Sequence, residues 1–467
     1  MNRNTWRKII GSVLGIGCGL AVAYQSPPDS LSIQSMWGLG IITWAIINWI
    51  FDVLPEYVVA MLMCSGWVVF DVVPFKIAFE QFSNTNWWLL LSALGLGVAV
   101  STSGLLQRMT LYVMRFFPAT YKGQVLGLLI TGVGIAPTIP SVTAKAAIMA
   151  PISLAMSDNM GYQHRSDGAA GLFSAMYAGF VSSCPIFVSA SFMGYMVIGF
   201  LPPEYHAQFT WTYWLFCTIP WALIFLVGIY FALVLLYKPE DKETEPGFFA
   251  KQLTSLGPMS KNEKITLIVL SVTLLFWMTE LVHGISSTLV AMISLCVLLG
   301  FNIYGRQDFR QKIPWDSIIF IGGIINLGSV LPYLNIDKWM GEAIGPYIIP
   351  LMSNPYLFVI LLTITICLVR FVFVSMIATL TIFATLLIPF AAQAGINPWI
   401  VGFIILVSIN VWIVNYQNSS YLTAYYATGG YMVKHSQVVK MSLAYILISL
   451  LGFFVCIPYW KLIGLIC

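Results

Sequence analysis

Apolar runs long enough to cross a bilayer recur along the whole chain. About 20 mostly apolar residues span the hydrocarbon. Eleven such crossings are expected, near residues 9–24, 35–54, 57–73, 87–106, 168–200, 209–236, 264–282, 285–302, 316–333, 398–433 and 441–460. Two further apolar regions, 124–157 and 354–395, break in the middle at polar residues, and their halves read as too short to span. They predict re-entrant hairpins. The long polar stretch from Tyr237 to Lys264 separates two halves of similar length and reads as a linker. The expected fold is therefore an all-α polytopic membrane protein. It has an amino-terminal helix and connection at 1–34, a first repeat at 35–236, a linker at 237–263 and a second repeat at 264–467.

The halves repeat weakly at a fixed offset of 231 residues. Val59-Ala60-Met61 faces Val290-Ala291-Met292, Leu96-Gly97 faces Leu327-Gly328, and Met109 faces Met340. The hairpins follow at an offset of 234, Ser141 against Ser375. Each half then holds five crossings and one hairpin. An odd number of crossings makes the second half enter from the opposite side, so the repeats are inverted.

Composition fits this pattern and excludes a soluble domain: hydrophobic residues make up 59%, charged residues 9%, and mean hydropathy is +0.86. Loop basicity sets orientation. With the amino terminus in the cytoplasm, Lys76, Lys338 and Lys461 are the only loop lysines or arginines expected outside. The protein is thus expected in the inner or plasma membrane, amino terminus inside and carboxyl terminus outside. The basic start Met1–Lys8 resembles a signal peptide, but without a small-residue cleavage site before Tyr24 it reads as a retained helix. Eight cysteines, nearly all in apolar segments, read as buried hydrophobes. Nucleic-acid binding has no support in the balance of 22 basic and 18 acidic residues.

The breaks in the apolar runs carry the candidate chemistry. The first hairpin tip reads Pro137-Thr138-Ile139-Pro140-Ser141-Val142-Thr143-Ala144-Lys145. Proline leaves carbonyls free, hydroxyls stand beside them, and the following half-helix presents a partly positive amino end to an anion. The second tip, around Ser375, adds Thr379 and Thr381. Two later crossings are interrupted, at Ser182-Ser183-Cys184-Pro185 with Ser189 and Ser191, and at Asn415-Tyr416-Gln417-Asn418-Ser419-Ser420. Such polar runs at membrane depth mark a cavity. Lys145 and Arg370 are the cations expected at depth; no acid lies near either in sequence. Lys145 is accordingly expected to meet an anionic solute, whereas Arg370 is expected to reach carbonyls or the interface. The expected solute site is Ser141, Thr143, Lys145, Ser189, Ser191, Ser375, Thr379, Thr381, Asn418, Ser419 and Ser420.

A cation/proton antiporter on a related scaffold would need a midplane carboxylate, yet Asp52, Asp71, Glu280 and Asp316 are all expected at helix ends. An embedded enzyme would need a metal-binding or nucleophile–base cluster, and His164, His206, His283 and His435 are scattered.

The tip, the hairpin placement and the linker ending Gly257-Pro258-Met259-Ser260-Lys261-Asn262-Glu263-Lys264 together resemble the divalent anion/sodium symporter family. The likeness extends to His283-Gly284-Ile285, Trp315-Asp316 and Ala427-Thr428-Gly429-Gly430-Tyr431. It implies transport of di- and tricarboxylates or sulfate by a homodimer with an elevator-type moving domain. The family's tips carry Ser-Asn-Thr, touching substrate and sodium; here they read Ser141-Val142-Thr143 and Ser375-Met376-Ile377, without either asparagine. Any sodium site would lie near Ser141, Thr143 and Ser375. The exchanger branch has Ser-Asn-Thr-Ala-Arg at the first tip, and Lys145 stands at that arginine. The expectation is an exchanger of small dicarboxylates or a carrier not strictly driven by sodium. A sodium-coupled symporter is the alternative. No cofactor is expected beyond sodium or a proton as coupling ion.

Overall fold

The computed structural model describes residues 3–467 except Asp29 and Val374, together with most side chains. Val374 of the second tip and the Asn415 side chain of the second interruption therefore lie outside the described residues. The first repeat and its preceding helix comprise α1 (Arg3–Ala23), α2 (Ile33–Phe51), α3 (Glu56–Val69), α4 (Thr85–Ser103), α5 (Leu105–Met114), α6 (Tyr121–Ile135), α7 (Val142–Asn159), α8 (Asp167–Tyr177), α9 (Phe192–Phe200) and α10 (Trp211–Leu236). The second repeat follows with α11 (Lys261–Met278), α12 (Ser287–Gly300), α13 (Trp315–Ile325), α14 (Pro355–Val369), α15 (Met376–Ala391), α16 (Pro398–Ser408), α17 (Ser419–Ala427) and α18 (His435–Leu462).

The helix boundaries reproduce the internal offsets. Adding 231 to α3 gives α12, adding 234 to α6 gives α14, and the starts of α7 and α15 also differ by 234. Packing is reciprocal: α3 lies on α13 and α4 on α12, while α10 and α18 pair with each other. The Trp87 indole donates to the Ile318 carbonyl at 3.2 Å. Those two positions are 231 apart, repeat equivalents meeting each other, as across a two-fold axis.

Among the described residues, eight helices are long and apolar enough to cross a membrane, fewer than the eleven crossings expected. The reason is local. α3 and α12 have 14 residues and α16 has 11, short of a full span, and α11 carries Lys261, Glu263 and Lys264 in its first turns. The hairpin halves also depart from expectation, since α15 with its 3-10 extension runs 19 residues to Ala394. A sharp bend of 114° sets α14 against the short helix Gly345–Met352 before it.

The linker is clamped to the first repeat. Arg108 on α5 pairs with Glu263 at 2.6 Å and donates to the carbonyls of Gly257 and Leu256. Glu263 in turn closes a capping box with Ser260 at the start of α11.

Candidate functional site

The proline-containing tip and the polar interruptions do locally what unwinding requires. After α6 the chain makes one 3-10 turn, Ala136–Thr138, and restarts as α7 with Ser141 as its cap. The α8 run changes to π-helical winding over Ala178–Ser182 and then to 3-10 turns at Cys184–Ile186 and Val188–Ala190, before α9 restarts on the Ser191 cap. In the second repeat α15 restarts on Ser375, and α17 restarts on Asn418 after the break that follows α16. Each cap accepts from a helix N–H: Ala144 to Ser141, Met193 to Ser191, Ala378 to Ser375, and both Ser420 and Tyr421 to Asn418. A cap satisfies only part of a helix start, which leaves several amino-terminal N–H groups for something else.

All four restarted helices open onto one cavity of about 450 Å³. Its walls include Val142 and Thr143 of α7, Phe192 and Met193 of α9, Met376 and Ile377 of α15, and Ser419 and Ser420 of α17. Thr143 and Ser420 meet across the two repeats, hydroxyl to hydroxyl, at 3.2 Å. Arg7 of α1, Trp49 and Ile50 of α2, Asp52, and Glu56 of α3 also line the cavity. A second cavity, about 410 Å³ between α1, α2 and α3, is lined almost wholly by apolar side chains and brings no polar groups together.

Of the residues expected at the site, the structure places Thr143, Ser375, Ser419 and Ser420 on the cavity wall. Ser141, Ser191 and Asn418 stand behind it as caps, and Asn418 also donates to Asn410 at 3.0 Å. Ser189 is buried, donating to the Pro137 carbonyl and accepting from the Trp211 indole, so it ties the broken crossing to the first tip. Thr379 and Thr381 are buried within α15, Thr379 bonding back to the Ser375 carbonyl. Lys145 is the largest departure. Its side chain is 0% exposed, donating to the Ala190 carbonyl at 2.9 Å and the Cys184 sulfur at 3.1 Å. Two residues along a helix are about 200° of rotation, so Thr143 and Lys145 face opposite sides of α7. Arg370 is buried as well, with Nη1 donating to the Phe373 carbonyl at 2.7 Å.

Asp52, expected at a helix end, is the residue that caps the end of α2, and Arg7 was expected in the amino-terminal segment. Both line the cavity, as does Glu56, because the turn between α2 and α3 reaches the hairpin tips. Arg7 donates to the Ile50 carbonyl at 2.9 Å. Its sequence signal was present: Arg7, Asp52 and Glu56 are charges kept beside otherwise apolar helices.

A family profile described as "Sodium:sulfate symporter transmembrane region" matches residues 7–466. Similar proteins include one named "Membrane protein" from Cupriavidus necator, 26% identical over 354 residues, covering 71% of this chain and 69% of that protein. "Dicarboxylate transporter 2, chloroplastic" of Spinacia oleracea is 26% identical over 349 residues, covering 72% and 62% respectively. "Inner membrane protein YbhI" of Escherichia coli is 26% identical over 355 residues, covering 73% and 74%. Among solved structures, the YdaH transporter of Alcanivorax borkumensis superposes with a TM-score of 0.56 at 15% identity, covering 99% of this chain and 98% of that one. That likeness concerns the fold.

Proposed function

The chain belongs to the sodium:sulfate symporter family, and from that premise we propose that it carries a small divalent organic anion, dicarboxylate-like, across the membrane. The proposed route is elevator-type alternating access by a homodimer, by exchange or at least without a strict sodium requirement. One observation carries the reading: four capped helix amino termini, two from each repeat, meet at one cavity. Each such end is worth roughly half a positive charge, and its N–H groups point at whatever lies beyond it. Two such ends from each repeat suit a solute with two anionic groups, and a relative is named as a dicarboxylate transporter.

Lys145 supports sodium independence. Its ammonium already bonds the Ala190 carbonyl in the broken crossing, where a mobile cation would otherwise take carbonyl oxygens. The sodium-coupled alternative draws on the tip hydroxyls of Thr143 and Ser375, which are oxygen ligands suited to a hard cation. An antiporter would use the carboxylates of Asp52 and Glu56, which line the same cavity at the end of α2 and the start of α3.

Uptake of labelled succinate, malate or sulfate into proteoliposomes preloaded with the same unlabelled anion is expected to continue when choline replaces sodium. Uptake that stops without sodium selects the symporter instead. The proposed orientation puts the linker and the carboxyl terminus on opposite faces. Single cysteines at Glu243 and at the native Cys467, in a background lacking the other cysteines, are expected to label from the cytoplasm and from outside respectively. Labelling of both from one face overturns the inverted arrangement across the membrane.

A further inference from the structure

A lysine and a cysteine touch in the interior of the first repeat. The Lys145 ammonium of α7 donates to the Cys184 sulfur at 3.1 Å as well as to the Ala190 carbonyl, and the Cys184 thiol donates in turn to the Phe180 carbonyl at 3.6 Å. Bracing the broken crossing accounts for the Ala190 bond and gives the sulfur no role. Cys184 is 4% exposed, yet it is not sealed off. It lines a void of about 20 Å³, and four other residues of that void, Val142, Met193, Met376 and Ser420, also line the solute cavity. A void of that size holds about one water-sized molecule. A small polar oxidant entering through the cavity therefore has a seat against the sulfur, with the lysine nitrogen already in contact.

We infer that Lys145 and Cys184 are an oxidative modification site, at which hydrogen peroxide links the two side chains through a nitrogen–sulfur bond. Peroxide first converts the Cys184 thiol to the sulfenic acid and releases one water, the sulfur giving two electrons to the O–O bond. Lys145 then gives one proton to solvent, and its nitrogen lone pair attacks the sulfur. The S–O bond breaks, and the departing hydroxide takes a second amine proton as water. Ammonium, thiol and one peroxide thus become a sulfenamide, two waters and a proton. Two equivalents of an external thiol reverse it: the first opens the N–S bond and the second completes a disulfide with the first. The bridge abolishes the ammonium that the Ala190 carbonyl accepts from. Ala190 ends the 3-10 turn that leads to Ser191, the cap of α9 at the cavity. Resting on the anion-carrier reading, the bridge is a reversible off-switch for transport.

The test treats purified wild-type protein with hydrogen peroxide, blocks free thiols by alkylation, and maps the peptides by mass spectrometry. The exposed Cys18, Cys296 and Cys467 report that the dose was sufficient. A peptide pair joined between Lys145 and Cys184 is expected, lighter by two hydrogens than the sum of its parts and separated by dithiothreitol. In proteoliposomes the same dose is expected to remove most of the succinate, malate or sulfate exchange, and dithiothreitol to restore it. Cys184→Ala, which keeps every other cysteine, is expected to give no joined pair and to retain its own untreated exchange rate. Cys184 recovered as free thiol or as sulfinic acid with Lys145 unmodified, once the exposed cysteines are oxidised, overturns the proposal. A joined pair in protein whose exchange is unaffected overturns the switch. The peptide map needs neither a variant nor transport. A carrier that moves none of the three anions therefore refutes the anion reading alone, and the joined pair still decides the modification site.

Discussion

Lys145→Met is expected to lower the stability of the purified protein by up to roughly 3 kcal/mol while leaving the affinity of the folded fraction for its anion nearly unchanged. The ammonium makes charge-assisted hydrogen bonds to the Ala190 carbonyl and the Cys184 sulfur, and bonds to a charged group contribute about 1.5–3 kcal/mol. Removing them leaves a buried carbonyl without its partner in the unwound stretch that carries Ser189 and Ser191. Part of the loss is offset, because methionine has similar volume and no ammonium has to be kept out of water. Lys145→Arg should be no better tolerated, since a side chain with 0% exposure has no room for a planar guanidinium. Thermal unfolding and binding isotherms on monodisperse protein separate the two effects. A dissociation constant raised about tenfold or more, equivalent to 1.4 kcal/mol, would place the ammonium against the solute and contradict the geometry.

The fold was legible in the sequence to the extent that periodicity and length encode it. Apolar runs, the offset of 231 and the Ser141–Ser375 match lead to the helices and to both hairpins, because burial in lipid demands long uninterrupted stretches and each interruption stands out. The polar interruptions likewise mark the four places where helices restart beside the cavity. Their roles were less accessible. Ser141, Ser191, Ser375 and Asn418 were read as groups for the solute, and all four are helix caps, of which Ser375 also lines the cavity. Capping and ligand binding draw on the same side-chain chemistry, and only the position of the helix start separates them. Thr143 and Lys145 were grouped by proximity in sequence, but the helix turns them to opposite faces. Glu56 and Arg7 were not assigned to the site because only the tertiary fold brings the ends of α1–α3 to the cavity that Ser375 lines, more than 300 residues later in the chain.

Gly132→Val is expected to have the largest structural effect, abolishing monodisperse protein and transport together. α6 crosses the π-helical stretch of the first broken crossing at Gly132 and Gly179, with glycine backbone against glycine backbone. A Cβ on Gly132 would overlap the Gly179 carbonyl group, and one on Gly179 would lie 2.5 Å from the Leu128 oxygen. Overpacking a core by a few methylenes costs about 1–3 kcal/mol when side chains can move aside. Here the obstacles are main-chain atoms on both sides, so relief requires separating the helices, and the cost should exceed that range. The separation would also displace the Ala178–Ser182 winding that leads into Cys184 and the Ser191 cap, and with it the start of α9 at the cavity. Gly134, two residues on in the same helix, is exposed and has nothing within 4 Å of its would-be Cβ. Gly134→Val is therefore expected to yield folded protein with wild-type exchange. Size-exclusion profiles and anion exchange on the pair decide the matter: a Gly132→Val protein that elutes and transports like wild type would show that α6 and the π-helical stretch are not in backbone contact.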